Sequence, residues 1–175
     1  MADAVIVLTQ HEYDRLRAHL LPPRSADEEA AFAFSDVQRT QCLRFSPREW
    51  LFLTPGDFVY RSPYHLELED KTRARIIKRA HDLGTSIIEF HSHPGNMIGF
   101  SPSDIEGMAE FVPHVWWRLK GRPYGAVVIA SGGLDGLVWV TSPQTPERIA
   151  GLEVKGKIIR PARRRWFSGR MSSDG

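Results

Sequence analysis

Residues 85–104 read Thr85-Ser86-Ile87-Ile88-Glu89-Phe90-His91-Ser92-His93-Pro94-Gly95-Asn96-Met97-Ile98-Gly99-Phe100-Ser101-Pro102-Ser103-Asp104. The first part follows Gly84 and is rich in β-branched and aromatic residues, which predicts a strand running into the histidines. Side chains alternate along a strand, so His91 and His93 share a face about 7 Å apart at the backbone and can converge on one ion. Pro94 and Gly95 end the strand. Ser101-Pro102-Ser103-Asp104 then opens a helix, with Ser101 at the cap, Pro102 at the first helical position and Asp104 in the first turn.

Each piece alone is common. Ser-x-x-Asp is a capping pattern found far from any metal, and His-x-His occurs in buried strands. Together they present two imidazoles and a carboxylate across one short loop. That set, with a fourth position open to water, is the pattern of a catalytic zinc site; a structural site is closed by a fourth protein ligand. Imidazole and carboxylate without thiolate favour zinc over copper or iron, at one ion per chain. Cys42 is the only cysteine. This excludes an internal disulfide, a four-cysteine zinc site and the Cys-x-x-Cys pair of zinc deaminases. A single free thiol suits a reducing compartment, with Cys42 expected in a strand without a chemical role.

The string His91-Ser92-His93-Pro94, the spacing to Ser101, and Asp104 resemble the motif of the JAMM/MPN+ zinc metalloprotease family, in its bacterial JAB-domain form. The resemblance implies a deubiquitinase-like protease or isopeptidase that acts at the C-terminus of a ubiquitin-like or sulfur-carrier protein. It removes conjugates or matures a precursor, and activating- and conjugating-enzyme-like proteins are possible partners. It also implies a glutamate from an upstream strand entry. Glu29, in Asp27-Glu28-Glu29-Ala30-Ala31-Phe32, best fits that register. Phe32 stands where the family often has glycine, so Glu28 stays open as the alternative. Either acid can also be read as a solvated strand entry. Glu89 is a third carboxylate, on the ligand face of the histidine strand, suited to bonding a ligand histidine or pairing with an arginine. In the implied chemistry His91, His93 and Asp104 hold zinc and Glu29 moves the proton. Ser101 donates to the oxyanion.

The other readings resembling this motif are a RadC-like nucleic-acid-associated protein and a non-catalytic MPN scaffold. No helix-hairpin-helix glycine turns precede the motif, and the metal-ligand set is complete, so neither leads. A nucleic-acid partner is therefore not expected.

The chain has 175 residues, 42% of them apolar, and a formal charge of +2, enough for one core. The expectation is an α/β (α+β) fold: one domain over residues 1–161, a mixed central sheet flanked by helices, then a basic tail over 162–175. The tail, which contains Arg163-Arg164-Arg165, reads as solvated, with an acidic partner or nucleic acid as functional alternatives. Ala4–Leu8 is the only apolar run near the start, too short for a membrane span and without a basic lead, which predicts a cytoplasmic protein.

Strands are expected at Ala4–Thr9, Ala30–Phe34, Thr40–Phe45, Trp50–Thr54, Tyr124–Ala130 and Leu137–Thr141, the last two joined around Gly132–Gly136. Helices are expected at Gln10–Leu21, Glu69–Leu83 and Pro102–Phe111, with Pro113 helping to end the last. His19 reads as packing. His114, Trp116 and Trp117 read first as core and second as a groove wall. The Gly95–Phe100 loop is the expected substrate contact.

Overall fold

The structure, a computed structural model, describes residues 3–162. The expected basic tail falls, from residue 163 onward, outside the described residues. The expected mixed sheet flanked by helices is present. Strand β1 (Ala4–Leu8) leads into helix α1 (Gln10–Leu20), and β2 (Ala30–Arg39) and β3 (Leu43–Phe52) form a long hairpin. A small two-stranded sheet, β4 (Phe58–Arg61) and β5 (Leu66–Leu68), precedes helix α2 (Asp70–Leu83). The centre follows: β6 (Ser86–His93), helix α3 (Pro102–Arg118), then β7 (Tyr124–Ala130) and β8 (Gly133–Trp139). Short strands β9 (Glu147–Arg148), β10 (Gly151–Val154) and β11 (Lys157–Ile159) complete it.

The main sheet has nine strands in the order β11-β10-β1-β3-β2-β6-β7-β8-β9. Its central strands are buried on both faces. Leu16 and Leu20 of α1 cover one face, over Ala31, Ala33, Ile88 and Phe90. Helices α2 and α3 cover the other through Ile76, Ala80, Met108, Val112 and Val115, over Ala30, Phe32, Phe34 and Ile87. Odd-numbered residues of β6 thus point towards α2 and α3, and even-numbered ones towards α1. That parity puts His91 and His93 under the start of α3.

Gly84 ends α2 in the left-handed conformation, φ 70°, which a side chain rarely adopts, so the chain turns directly into β6.

Four local readings are corrected. Thr40–Phe45 and Trp50–Thr54 were expected to be two strands but belong to one, β3. Pro47 lies inside it, next to a bulge at Phe34/Ser35 and beyond the last residue of β3 that pairs with β1, a place in a sheet where proline is tolerated. Helix α3 runs through Pro113 to Arg118. Met108, Val112, Val115 and Leu119 form its buried stripe, and Pro113 lies off it, so packing outweighs one lost backbone bond. The β7–β8 hairpin turns at Ser131-Gly132, leaving Gly133–Gly136 inside β8. Cys42 is half-buried in the turn before β3, not in a strand.

Candidate metal centre

The ligand atoms of His91, His93 and Asp104 lie within 4.8 Å of one another. The two imidazoles come from the end of β6 and the carboxylate from the first turn of α3. Ser101 caps that helix reciprocally: its Oγ accepts from the Asp104 amide at 3.1 Å, and its own amide donates to Asp104 Oδ2 at 2.7 Å. The cap therefore fixes the Asp104 side chain as well as the helix. Asp104 Oδ2 lies 3.1 Å from His93 Nε2 and 3.4 Å from His91 Nε2.

The residues fit a cation. His93 is 2% exposed, and its Nδ1 lies 3.3 Å from the Met97 carbonyl. A carbonyl only accepts, so this bond takes a proton on Nδ1, and in the neutral imidazole that leaves Nε2 free to ligate. His91 Nε2 is buried without a hydrogen-bond partner, and so is Oε2 of Glu28. Burial disfavours the charged form of His91, yet the carboxylates of Asp104, Glu89 and Glu28 outweigh it and raise its pKa. Burial likewise works against the Asp104 carboxylate, but contacts from both histidines and the Ser101 amide hold its pKa well below the usual range. Two imidazoles ringed by carboxylates form a field that favours positive charge. His91, His93 and Asp104 could thus hold a metal ion.

The upstream glutamate is placed differently from the expected register. Ala30 pairs with His91 across the β2–β6 ladder, and extending that antiparallel register sets Glu29 opposite Ser92 and Glu28 opposite His93. Glu28 is 1% exposed, with Oε1 3.6 Å from His93 Nε2. Burial raises its pKa, opposed by His91 and His93. Glu29 points the other way and pairs with Arg61 on β4. The structure brings Glu28, the alternative reading, to the histidines and corrects the placement of Glu29. Alternation decides it: neighbouring residues of an extended segment face opposite sides, and only the partner strand says which side is which.

Glu89 bonds outside the ligand set, accepting from the Tyr124 hydroxyl. Burial raises the pKa of Glu89, partly offset by that bond, and raises that of Tyr124 too. In place of the expected ligand histidine or arginine, the partner of Glu89 is a tyrosine two strand positions away, a contact that no local pattern announces.

Ser101 is 9% exposed, and its Oγ also lies 3.0 Å from Ser103 Oγ. Met97 and Phe100 of the 95–100 loop border the site, the Phe100 ring centroid 5.9 Å from that of His91. Trp116 packs half-buried against the α2–α3 face, whereas Trp117 is 74% exposed near the far end of α3. Neither it nor His114 lines the cleft at His91. His19 is structural: its Nε2 lies 2.9 Å from the Ala30 carbonyl and its ring meets Phe52 edge-on.

An open cleft of about 310 Å³ reaches His91 and Asp104. Leu66–Leu68 of β5 forms one wall and α3 the other, around Gly107 and Phe111. Among the described residues β5 pairs only with β4, which leaves its other backbone edge without a strand partner. No helix among the described residues is long and apolar enough to cross a membrane. No protein-family model matches the chain, and no curated protein matches it.

Proposed function

We propose that the protein is a zinc-dependent hydrolase of the JAMM/MPN+ type, cutting a peptide or isopeptide bond after the C-terminus of a ubiquitin-like or sulfur-carrier protein. The observation that carries this reading is a buried carboxylate, Glu28, beside an imidazole–carboxylate cluster that opens onto a cleft. Zinc is favoured by the ligand set, two nitrogens and one oxygen with no sulfur. Bound there, it would supply Lewis acidity, polarising a carbonyl and acidifying water.

The chain's own groups account for the remaining steps. Glu28 takes the proton of the attacking water at Oε1 and returns it to the leaving amine, a double transfer suited to a buried carboxylate beside the cluster. Ser101 supplies a hydroxyl at the helix start, where an oxyanion is also favoured by the dipole of α3. The Met97 carbonyl, accepting from Nδ1 of His93, favours the tautomer that leaves its Nε2 to ligate.

The free edge of β5 supports an extended substrate. A flexible tail added beside Leu66–Leu68 gains backbone hydrogen bonds without a demand on side chains, and it lies along the cleft that ends at the histidines. A folded loop does not enter such a channel, which favours a carrier with a slender C-terminus. Incubation with a ubiquitin-like fusion, followed by mass spectrometry, tests the reading. The expected result is one cut after the carrier's last residue, abolished by chelator and restored by zinc. Cuts scattered through unstructured protein would replace it with a general peptidase.

A further inference from the structure

Glu28 sits at the histidines without any bond that holds its carboxylate there. Oε2 has no hydrogen-bond partner, and Oε1 lies 3.6 Å from Nε2 of His93. A buried side chain with no partner of its own takes its position from its backbone and neighbours. Both are tied to β4. The Glu28 amide donates to the Ser62 carbonyl at 2.9 Å, and the next residue, Glu29, accepts from Arg61. Arg61, the last residue of β4, and Ser62, the next one, thus pin two consecutive residues before β2, one through an ion pair and one through backbone.

The pin is well supported. Arg61 Nε lies 4.0 Å from Asp27, and its guanidinium stands over the Phe58 ring, 5.2 Å from the centroid. The Arg61 and Glu29 side chains are only 20% and 11% exposed, so the pair is sheltered from solvent screening. On its other side Glu29 is stitched to the strand between the two histidines. Its amide donates to Ser92 Oγ at 2.9 Å, and its carbonyl accepts from the Ser92 amide at 3.0 Å. Without Arg61, Asp27 and Glu29 would lose the guanidinium that both face.

We infer that Arg61 and Glu29 form a positioning pair that sets the Glu28 carboxylate against His93, and that the β4–β5 wall of the cleft is thereby part of what holds the base. This rests on the reading of Glu28 as the proton-transfer group. Glu29 has a role distinct from that of its neighbour: it touches neither the cluster nor the cleft, and acts only through Glu28.

The experiment uses the full-length, zinc-loaded chain with Arg61→Ala, Arg61→Lys, the isosteric Glu29→Gln, and the reversed pair Glu29→Arg with Arg61→Glu. Crystal structures report the Glu28–His93 separation, and kinetics on the ubiquitin-like fusion report kcat and KM separately. Arg61→Ala and Glu29→Gln are expected to keep zinc and fold and to show Glu28 displaced. They should lose about 10–100-fold in kcat, the scale of a misplacement of about 1 Å, with KM little changed. Arg61→Lys should fall between, and the reversed pair should recover both position and kcat. Glu28 unmoved in Glu29→Gln, or a reversed pair no better than the single variants, would overturn the pair. If the wild type cleaves no carrier fusion, the proposed function fails, while the Glu28 position in the variants still decides the positioning claim.

Discussion

Helices α1 and α3 begin with the same device and put it to different ends. At Thr9 the hydroxyl accepts from the Glu12 amide at 3.1 Å and the Thr9 amide donates to Glu12 Oε2 at 2.8 Å. Ser101 and Asp104 reproduce that reciprocal pair at 3.1 and 2.7 Å. At α1 the carboxylate's other oxygen accepts from the Trp50 indole, and the contact ends there. At α3 the carboxylate lies across from His91 and His93. A third copy of the spacing, Thr54 and Asp57, ties the turn before β4 to α2, with Asp57 accepting from Thr54, Thr72 and Arg75. One local pattern thus serves as a cap, a metal-ligand candidate and a structural knot. What differs is the strand or helix that the fold sets opposite the carboxylate.

The largest expected effect separates α3 from α1. Asp104→Ala, like His91→Ala or His93→Ala, should abolish stoichiometric zinc binding, measured by metal analysis of purified protein, whereas Glu12→Ala should leave it intact. Full zinc occupancy in a His91/His93 double variant would remove the distinction altogether.

Next comes Glu28, which sharpens the comparison by separating binding from chemistry. Glu28→Gln should retain zinc and the fold and lose about 10²–10⁴-fold in kcat, the usual scale of a general acid–base group. A normal rate in this variant, beside a dead Glu89→Gln, would move the proton-transfer role to the histidine strand.

Asp57 should respond to pH in the manner of a knot. Burial works against its charge, but bonds from Thr54 and Thr72 and the nearby Arg75 more than compensate, so its folded pKa lies below the unfolded value. Its contribution is therefore complete above the unfolded pKa, near 4, and is lost as pH falls through the folded one. Asp57→Asn should cost about 1–3 kcal/mol at pH 7 and progressively less below about pH 4, by urea melts across that range. A penalty independent of pH would show that the carboxylate's charge plays no part.

The smallest effect belongs to the simple cap. Thr9→Ala should lower stability by about 1 kcal/mol with zinc binding and turnover untouched. A change in metal content on that substitution would contradict the separation of the two helix starts.

How far the site was legible follows from sequence distance. His91, His93, Ser101 and Asp104 lie on one strand, one loop and one helix start, and strand alternation with capping chemistry places them without reference to any tertiary contact. Glu28 was open to confusion with Glu29 because β2 is apolar on both faces: Ala31 and Ala33 lie towards α1, Ala30 and Phe32 towards α3, so no polar–apolar alternation marks the side. The bond from Tyr124 to Glu89 and the ion pair of Arg61 with Glu29 join segments with no shared pattern. Strand β10 carries no local signal for a related reason: it is four residues long and pairs with β1 from a distant part of the sequence.

The sequence by itself determined the candidate ligand triad, the helix that carries Asp104, and a mixed sheet covered by helices, because periodicity, capping and turn chemistry act over a few residues. Only the tertiary structure decided that Glu28 faces His93, that Arg61 engages Glu29, that Pro47 and Pro113 lie within continuous elements, and that β5 forms a cleft wall with one edge unpaired among the described residues. Each of these depends on register or packing between distant segments. A shift of one residue in that register turns every side chain to the opposite face.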